Sequence, residues 1–294
     1  MKVGIIGGGA IGLLCAYYFA KSKWEVTVYT RRFEQAQELN RSGLKIRETT
    51  NRAKVKAELL LETKKIDADL IIIAVKQYSL SEIVGQLKTL VEKKQNMLFV
   101  QNGMGHIDLI RDLDHKNIFI GVIEHGVLKH SDSEIDHVGK GTTKVAPFQG
   151  KIAALSGQLE GVKQPHFPFE YWDDWYQILA DKLLVNAVIN PLTALYQVKT
   201  GSLVENVHFQ KNMKRLFEEA VNILGLKNKE EQWRNILRVC HNTAGNRSSM
   251  LRDIESGKQT EIDAISGYLI ERAEDQNKDL PYTRFVYESI KGMS

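Results

Sequence analysis

The chain has 294 residues, 43% of them apolar and 26% charged, with a formal net charge of +4. That length exceeds the usual single domain, and the composition excludes a fibrous, repetitive or disordered chain. Lysines and arginines alternate with acidic residues instead of forming blocks, so no nucleic-acid partner is expected. The longest apolar runs, such as Leu70 to Val75, are too short to span a bilayer, and Ile5 to Ala20 is broken by glycines and lacks a cleavage site. No membrane partner is expected either, and the protein reads as cytoplasmic. Its two cysteines, Cys15 and Cys240, lie outside any metal-binding spacing, and Cys15 falls within an apolar helical pattern as a buried thiol would.

Lys2 to Ile6 predicts a strand that runs directly into Gly7-Gly8-Gly9-Ala10-Ile11-Gly12. An apolar helical stretch, Leu13 to Lys21, and a second strand, Glu25 to Tyr29, complete a strand–turn–helix–strand frame. A lone G-x-G-x-x-G says little, but inside this frame it is the dinucleotide fingerprint. Gly7 permits the tight turn, Gly9 lets the backbone approach a pyrophosphate, and Gly12 lets the helix pack closely on the sheet. The helix N-terminus then offers N–H groups and a positive dipole end to the phosphates. NAD-binding versions place Asp or Glu at the end of the second strand, whereas this chain has Thr30-Arg31-Arg32. A guanidinium there pairs with the 2′-phosphate of NADP(H), and Arg31 is the better placed of the two arginines.

After Asp69, Leu70 to Val75 is a continuous apolar run, as in a parallel strand buried on both faces, and Lys76 follows it. Met97 to Val100 precedes Gln101-Asn102-Gly103-Met104-Gly105, and Ile118 to Val122 precedes Glu124-His125-Gly126. Polar and glycine residues thus gather at strand ends, where ligands of such sheets bind. Thr143 to Pro147 is the last β-rich stretch, and from Tyr171 onward apolar residues recur at helical spacing. The fold class is therefore α/β, with a Rossmann-type dinucleotide-binding domain over 1–170 and an all-helical substrate domain over 171–294.

Within the second half, Lys182, Asn186 and Asn190 fall at i, i+4 and i+8, so one helix face carries a cation and two carboxamides among Leu, Val, Ala and Ile. Such a stripe is either a solvated face or a row of hydrogen-bonding groups lining a cleft, and Asn is a poor helix former for an exposed interior position. Asn246 to Ile254 and Thr260-Glu261-Ile262-Asp263 follow; in isolation they read as a helix cap and part of an amphipathic helix.

Taken together, Gly7-x-Gly9-x-x-Gly12, Arg31, Val75-Lys76, Gln101-Asn102-Gly103-Met104-Gly105, Lys182-x-x-x-Asn186-x-x-x-Asn190-Pro191-Leu192-Thr193, Asn246-x-x-Ser249 and Thr260-Glu261-Ile262-Asp263 stand in the order of the ketopantoate reductase family, which the chain resembles over its full length. The resemblance implies NADPH-dependent reduction of 2-dehydropantoate to (R)-pantoate, a step toward pantothenate and coenzyme A. It implies Lys182 as general acid with Glu261 close to it and to the nicotinamide. Asn102 would bridge cofactor and substrate, and Asn186, Asn190, Asn246 and Ser249 would hold substrate oxygens. Lys76 and the Gly126 backbone join the glycine loop, including Gly8, Ala10 and Ile11, in holding the cofactor. Thr200 stands where some members carry a substrate-contacting Asn, and its hydroxyl keeps a hydrogen-bonding function there. The expected partner is a small 2-oxo acid, with no metal, and the chain acts as a monomer or a homodimer. Reduction of a different 2-oxo acid on the same fold and non-catalytic sensing of NADP(H) are the alternatives.

Overall fold

The computed structural model describes residues 1–47, 49 and 52–293. In chain order the first elements are β1 (Lys2–Ile6), α1 (Ala10–Lys21), β2 (Glu25–Thr30), α2 (Phe33–Ser42), β3 (Lys45–Ile46), β4 (Lys56–Leu59), β5 (Leu70–Ile73), α3 (Leu80–Leu90) and β6 (Asn96–Phe99). Next come α4 (His106–Arg111), β7 (Asn117–Ile123), β8 (Gly126–Lys129), β9 (Glu134–Gly139), β10 (Thr143–Gln149), α5 (Ala153–Leu159) and β11 (Phe169–Tyr171). The remainder is helical: α6 (Trp175–Tyr196), α7 (Ser202–Glu205), α8 (Val207–Ile223), α9 (Lys229–Asn242), α10 (Ser249–Glu255), a π-helical turn (Asp263–Gly267), α11 (Tyr268–Asp275) and α12 (Pro281–Met293).

The chain groups into two compact units, one of residues 1–101 and 108–178 and the other of residues 102–107 and 179–294. The division falls inside α6, later than the boundary expected at 170, and it assigns a short segment after β6 to the helical unit.

In the first unit an eight-stranded sheet has the order β11-β10-β7-β6-β5-β1-β2-β4. Strands β4, β2, β1, β5, β6 and β7 are mutually parallel, and β1 pairs in register with both β2 (Ile5 opposite Val28) and β5 (Ile5 opposite Ile72). A strand so placed is covered on both faces, which explains why Val3, Ile5, Ile6 and Leu70 to Ile73 are apolar without alternation and fully buried. Helix α1 is buried from Gly12 to Phe19, as expected of a helix apolar on every side. The chain leaves it through Lys23, whose φ of 65° turns the backbone into β2.

Three features go beyond the sequence-based expectation. Strand β10 runs antiparallel to β7, and β11 adds a further strand at the sheet edge as far as Tyr171, where helix was expected. A second, three-stranded sheet of order β3-β9-β8 was not foreseen, because its strands are short and one pairing carries a bulge between Gly126 and Val127.

In the helical unit, α6 supplies the main core element. By length and composition Trp175–Tyr196 is apolar enough to cross a bilayer, contrary to the reading of apolar runs alone, and 78% of its most apolar window is buried. Scattered polar residues hid it from a search for uninterrupted runs. Pro281 opens α12, the position where a missing N–H costs a helix nothing. Glu219 on α8 then accepts from the N–H groups of Tyr282 and Thr283, so one helix caps another. Both cysteines are buried and unpaired, and burial pushes each thiol up to about 12.

Candidate active site

The glycine loop of the first unit is shaped by contacts that exclude side chains. Gly7 has a φ of +114°, and its N–H donates to the Tyr29 carbonyl at 3.0 Å. A Cβ at Gly12 would lie 1.9 Å from the Gly7 carbonyl oxygen. A Cβ at Gly9 would meet nothing within 4 Å, so that face of the loop is open. Gly9 begins α1 and no side chain caps the helix, which leaves the first-turn N–H groups at Ala10 and Ile11 for an anion. An uncapped helix start beside an open glycine face fits a dinucleotide's pyrophosphate.

At the end of β2 the two arginines differ. Arg32 is ion-paired with Asp132 at the β8–β9 turn. Arg31 is exposed and, among the described residues, has no ion pair. Lys76 follows β5 at the start of a short 3-10 turn and is partly buried. Gly126 opens β8 opposite Gly139, so close that a Cβ there would lie 3.1 Å from the Gly139 nitrogen.

Beside Gly126 lies a buried polar chain that sequence reasoning missed. The Gly141 N–H donates to Nδ1 of His125 at 3.1 Å, so that nitrogen carries a lone pair. His137 Nε2, 3.0 Å away, then donates to it, and His137 Nδ1 lies 2.7 Å from the Tyr18 hydroxyl. His125 is thereby held neutral, with its proton on Nε2. Burial, helped by the facing His137, lowers the His125 pKa to about 4.

In the helical unit, α6 presents Lys182, Asn186 and Asn190 along one face. Lys182 is partly buried, whereas both asparagines are only 8% exposed. Neither carboxamide has a hydrogen-bond partner among the described residues. Both residues are largely covered while their amide atoms stay accessible to a ligand, so the stripe is not a fully solvated face.

Asn102 joins this unit with the segment 102–107, and its Nδ2 donates to Oε2 of the buried Glu261 at 3.1 Å. The turn that brings them together requires Gly103, which has a φ of +76° and whose Cβ would lie 2.2 Å from the Ala264 carbonyl oxygen. Ala264 lies in the π-helical turn just after Glu261, a distortion frequent at functional sites. No local pattern announces that turn.

The remaining candidates cluster around α10. Thr200 is buried and donates both its N–H (3.0 Å) and its hydroxyl (3.2 Å) to the Asn246 carbonyl, so its hydroxyl proton is already engaged within the protein. Asn246 and Ser249 are exposed. Ser248 is the helix cap: its oxygen accepts from Leu251 N–H at 3.1 Å, and its hydroxyl donates at 2.7 Å to the Thr193 oxygen of α6, whose own proton goes to the Ile189 and Asn190 carbonyls. The bond from Ser248 to Thr193 ties the second half of α6 to the start of α10. Thus Gly7 to Gly12, Arg31, Lys76 and Gly126 lie in the sheet unit, while Asn102, Lys182, Asn186, Asn190, Thr200, Asn246, Ser249 and Glu261 lie in the helical unit.

Two family profiles match the chain: "Ketopantoate reductase PanE/ApbA" over residues 3–150 and "Ketopantoate reductase PanE/ApbA C terminal" over residues 174–294. The 2-dehydropantoate 2-reductase of Bacillus subtilis (strain 168) is 42% identical over 297 residues, covering 100% of this chain and 97% of that protein. The crystal structure of a probable 2-dehydropantoate 2-reductase from Bacillus subtilis superposes with a TM-score of 0.88 at 42% identity and covers 100% of both chains. A D-mandelate dehydrogenase solved with NADH and anilino(oxo)acetate reaches a TM-score of 0.90 at 22% identity over 100% of this chain and 98% of that one, a likeness of fold alone. The chain belongs to the ketopantoate reductase family.

Proposed function

We propose that the protein reduces 2-dehydropantoate to (R)-pantoate with NADPH, and that Lys182 donates the proton. The observation that carries this is the α6 face, where Lys182 leads two largely covered asparagines whose accessible carboxamides have no partner among the described residues. When bound, the nicotinamide supplies the hydride. Ketone reduction leaves an alkoxide, so a cation with a transferable proton belongs beside the carbonyl oxygen. Lys182 combines both properties. Asn186, Asn190, Asn246 and Ser249 are neutral donors and acceptors that orient the substrate's carboxylate and hydroxyl without competing for the proton. Glu261 holds Asn102 through its Oε2 and keeps a carboxylate near the reacting end.

The glycine loop and the first turn of α1 hold the pyrophosphate, and Arg31 takes the 2′-phosphate because Arg32 is already paired with Asp132. Lys76 and the Gly126 backbone complete the cofactor side. The enzyme so proposed is cytoplasmic, takes a small 2-oxo acid as its partner and works as a monomer or a homodimer.

Purified protein is to be assayed for NADPH oxidation against 2-dehydropantoate and a panel of other 2-oxo acids. The highest kcat/KM is expected for 2-dehydropantoate, with NADPH preferred to NADH. Faster turnover of another 2-oxo acid would sink the substrate assignment, and tight cofactor binding without turnover of any would sink catalysis.

A further inference from the structure

The second position of a G-x-G-x-x-G loop ordinarily tolerates any residue, yet here it is Gly8, and the structure shows why. A Cβ at Gly8 would lie 2.5 Å from the Gln35 side-chain oxygen and 2.6 Å from its nitrogen. Gln35, on α2, is 5% exposed and donates one N–H to the Gly8 carbonyl at 2.8 Å and another to the Asp132 backbone carbonyl at 3.2 Å. A second donor reaches the same Gly8 carbonyl from the other sheet: Lys129 Nζ, at the end of β8, lies 2.9 Å away. The Asp132 carboxylate accepts from Lys129 at 3.0 Å and from Arg32, so a single anion is shared by both cations and holds them within the network.

A carbonyl with two donors on one side is fixed in direction. The peptide is trans, since the described chain contains no cis bond, so the Gly9 N–H points opposite to the Gly8 carbonyl. That is away from Gln35 and Lys129. Left unclamped, the same peptide could flip and present a carbonyl dipole to an anion, which repels it.

We propose that Gln35 and Lys129 are positioning residues for the dinucleotide: together they turn the Gly8 carbonyl away from the phosphates and set the Gly9 N–H toward them. The β8–β9 hairpin, far from the glycine loop in sequence, is thereby part of the cofactor site. This rests on the reading that the loop seats a pyrophosphate, a moiety NADPH and NADH share. The two cofactors should therefore be affected alike.

Dissociation constants for NADPH and NADH are to be measured by calorimetry, alongside melting temperatures of the cofactor-free protein. Losing one clamp bond in Gln35→Met should weaken both cofactors by about tenfold while the cofactor-free melting temperature changes little. Lys129→Met should do the same, and Lys129→Arg, which keeps a donor, should bind within about twofold of the parent protein. Asp132→Ala gives the sharpest sign: removing an anion should by itself tighten binding of an anionic cofactor, whereas loss of the brace weakens it. Unchanged constants in Gln35→Met, a loss confined to NADPH, or tighter binding in Asp132→Ala each overturn the clamp. If the parent protein bound neither cofactor, the reading of the loop would fall as well, a result distinct from variants that bind as tightly as the parent.

Discussion

Helices α1 and α6 serve the proposed reaction in opposite ways. α1 offers its end: backbone N–H groups at an uncapped N-terminus, reached through glycines whose missing side chains define the space. α6 offers its side, with Lys182, Asn186 and Asn190 projecting from one face. A site made of backbone is damaged by adding atoms, whereas a site made of side chains is damaged by removing them. The two can therefore be broken separately.

The largest effect is expected at α6. Lys182→Ala should lower kcat by about 10²- to 10⁴-fold, the usual worth of a positioned proton donor, with the NADPH dissociation constant unchanged. Steady-state kinetics with a parallel binding titration checks both halves. A variant that retains most of its turnover removes Lys182 from the chemistry, and one that loses cofactor binding denies that the two helices act independently.

At α1 two glycines should respond differently to the same added methyl. Gly12→Ala forces a carbon to 1.9 Å from the Gly7 oxygen, so the loop must shift and both melting temperature and cofactor affinity should fall, the latter roughly 10- to 100-fold. Gly9→Ala meets nothing within 4 Å in the protein, so its melting temperature should hold while cofactor affinity drops. Equal melting losses in both would show that the Gly9 face is not the ligand's. Arg31→Ala should weaken NADPH by about 10- to 100-fold and NADH hardly at all, with Arg32→Ala milder because Arg32 is paired.

Each unit also buries an imidazole, and acid compares them. Desolvation lowers His106 of the helical unit to about 3, and desolvation with His137 lowers His125 of the sheet unit to about 4. Both lie below the free value of 6.5, so the unfolded chain takes up these protons first. Their stabilising contribution is complete above about pH 6.5, declines as the pH falls, and levels off below the folded values, at up to about 1.4 kcal/mol per pH unit for each group. Melting curves of His106→Leu and His125→Leu between pH 7 and 4 should each be flatter than the parent's, and an unchanged slope would remove that group from the account. The smallest effect is expected at Ser248→Ala, about 1 kcal/mol for the lost cap of α10, measured by denaturant unfolding.

Much of this contrast was legible in the sequence because it is local. The βαβ frame around Gly7 to Gly12 and the i, i+4, i+8 row on α6 lie within single short windows, where periodicity and turn chemistry suffice. What escaped was non-local. The pairing of the two-residue strand β3 with β9, the antiparallel turn of β10 against β7, and the contact between Gln35 and Gly8 join residues too far apart for any window. That Ser248 caps α10 while its neighbour Ser249 stays exposed turns on one residue of register, and two adjacent serines hide it. The low exposure of Asn186 and Asn190 decides the α6 stripe, and burial is a property of packing that a helical wheel only suggests.

The six residues from Asn102 to Ile107 carry a practical consequence for anyone exchanging parts among relatives. They stand between the strands of the sheet unit in the chain, yet they pack with the helices, where Asn102 meets Glu261 and Gly103 fits beneath Ala264. A chimaera spliced only at α6 would pair one parent's Asn102 loop with the other parent's π-turn. The transplant unit is therefore discontinuous: the helical half travels intact only when 102–107 is recoded along with it.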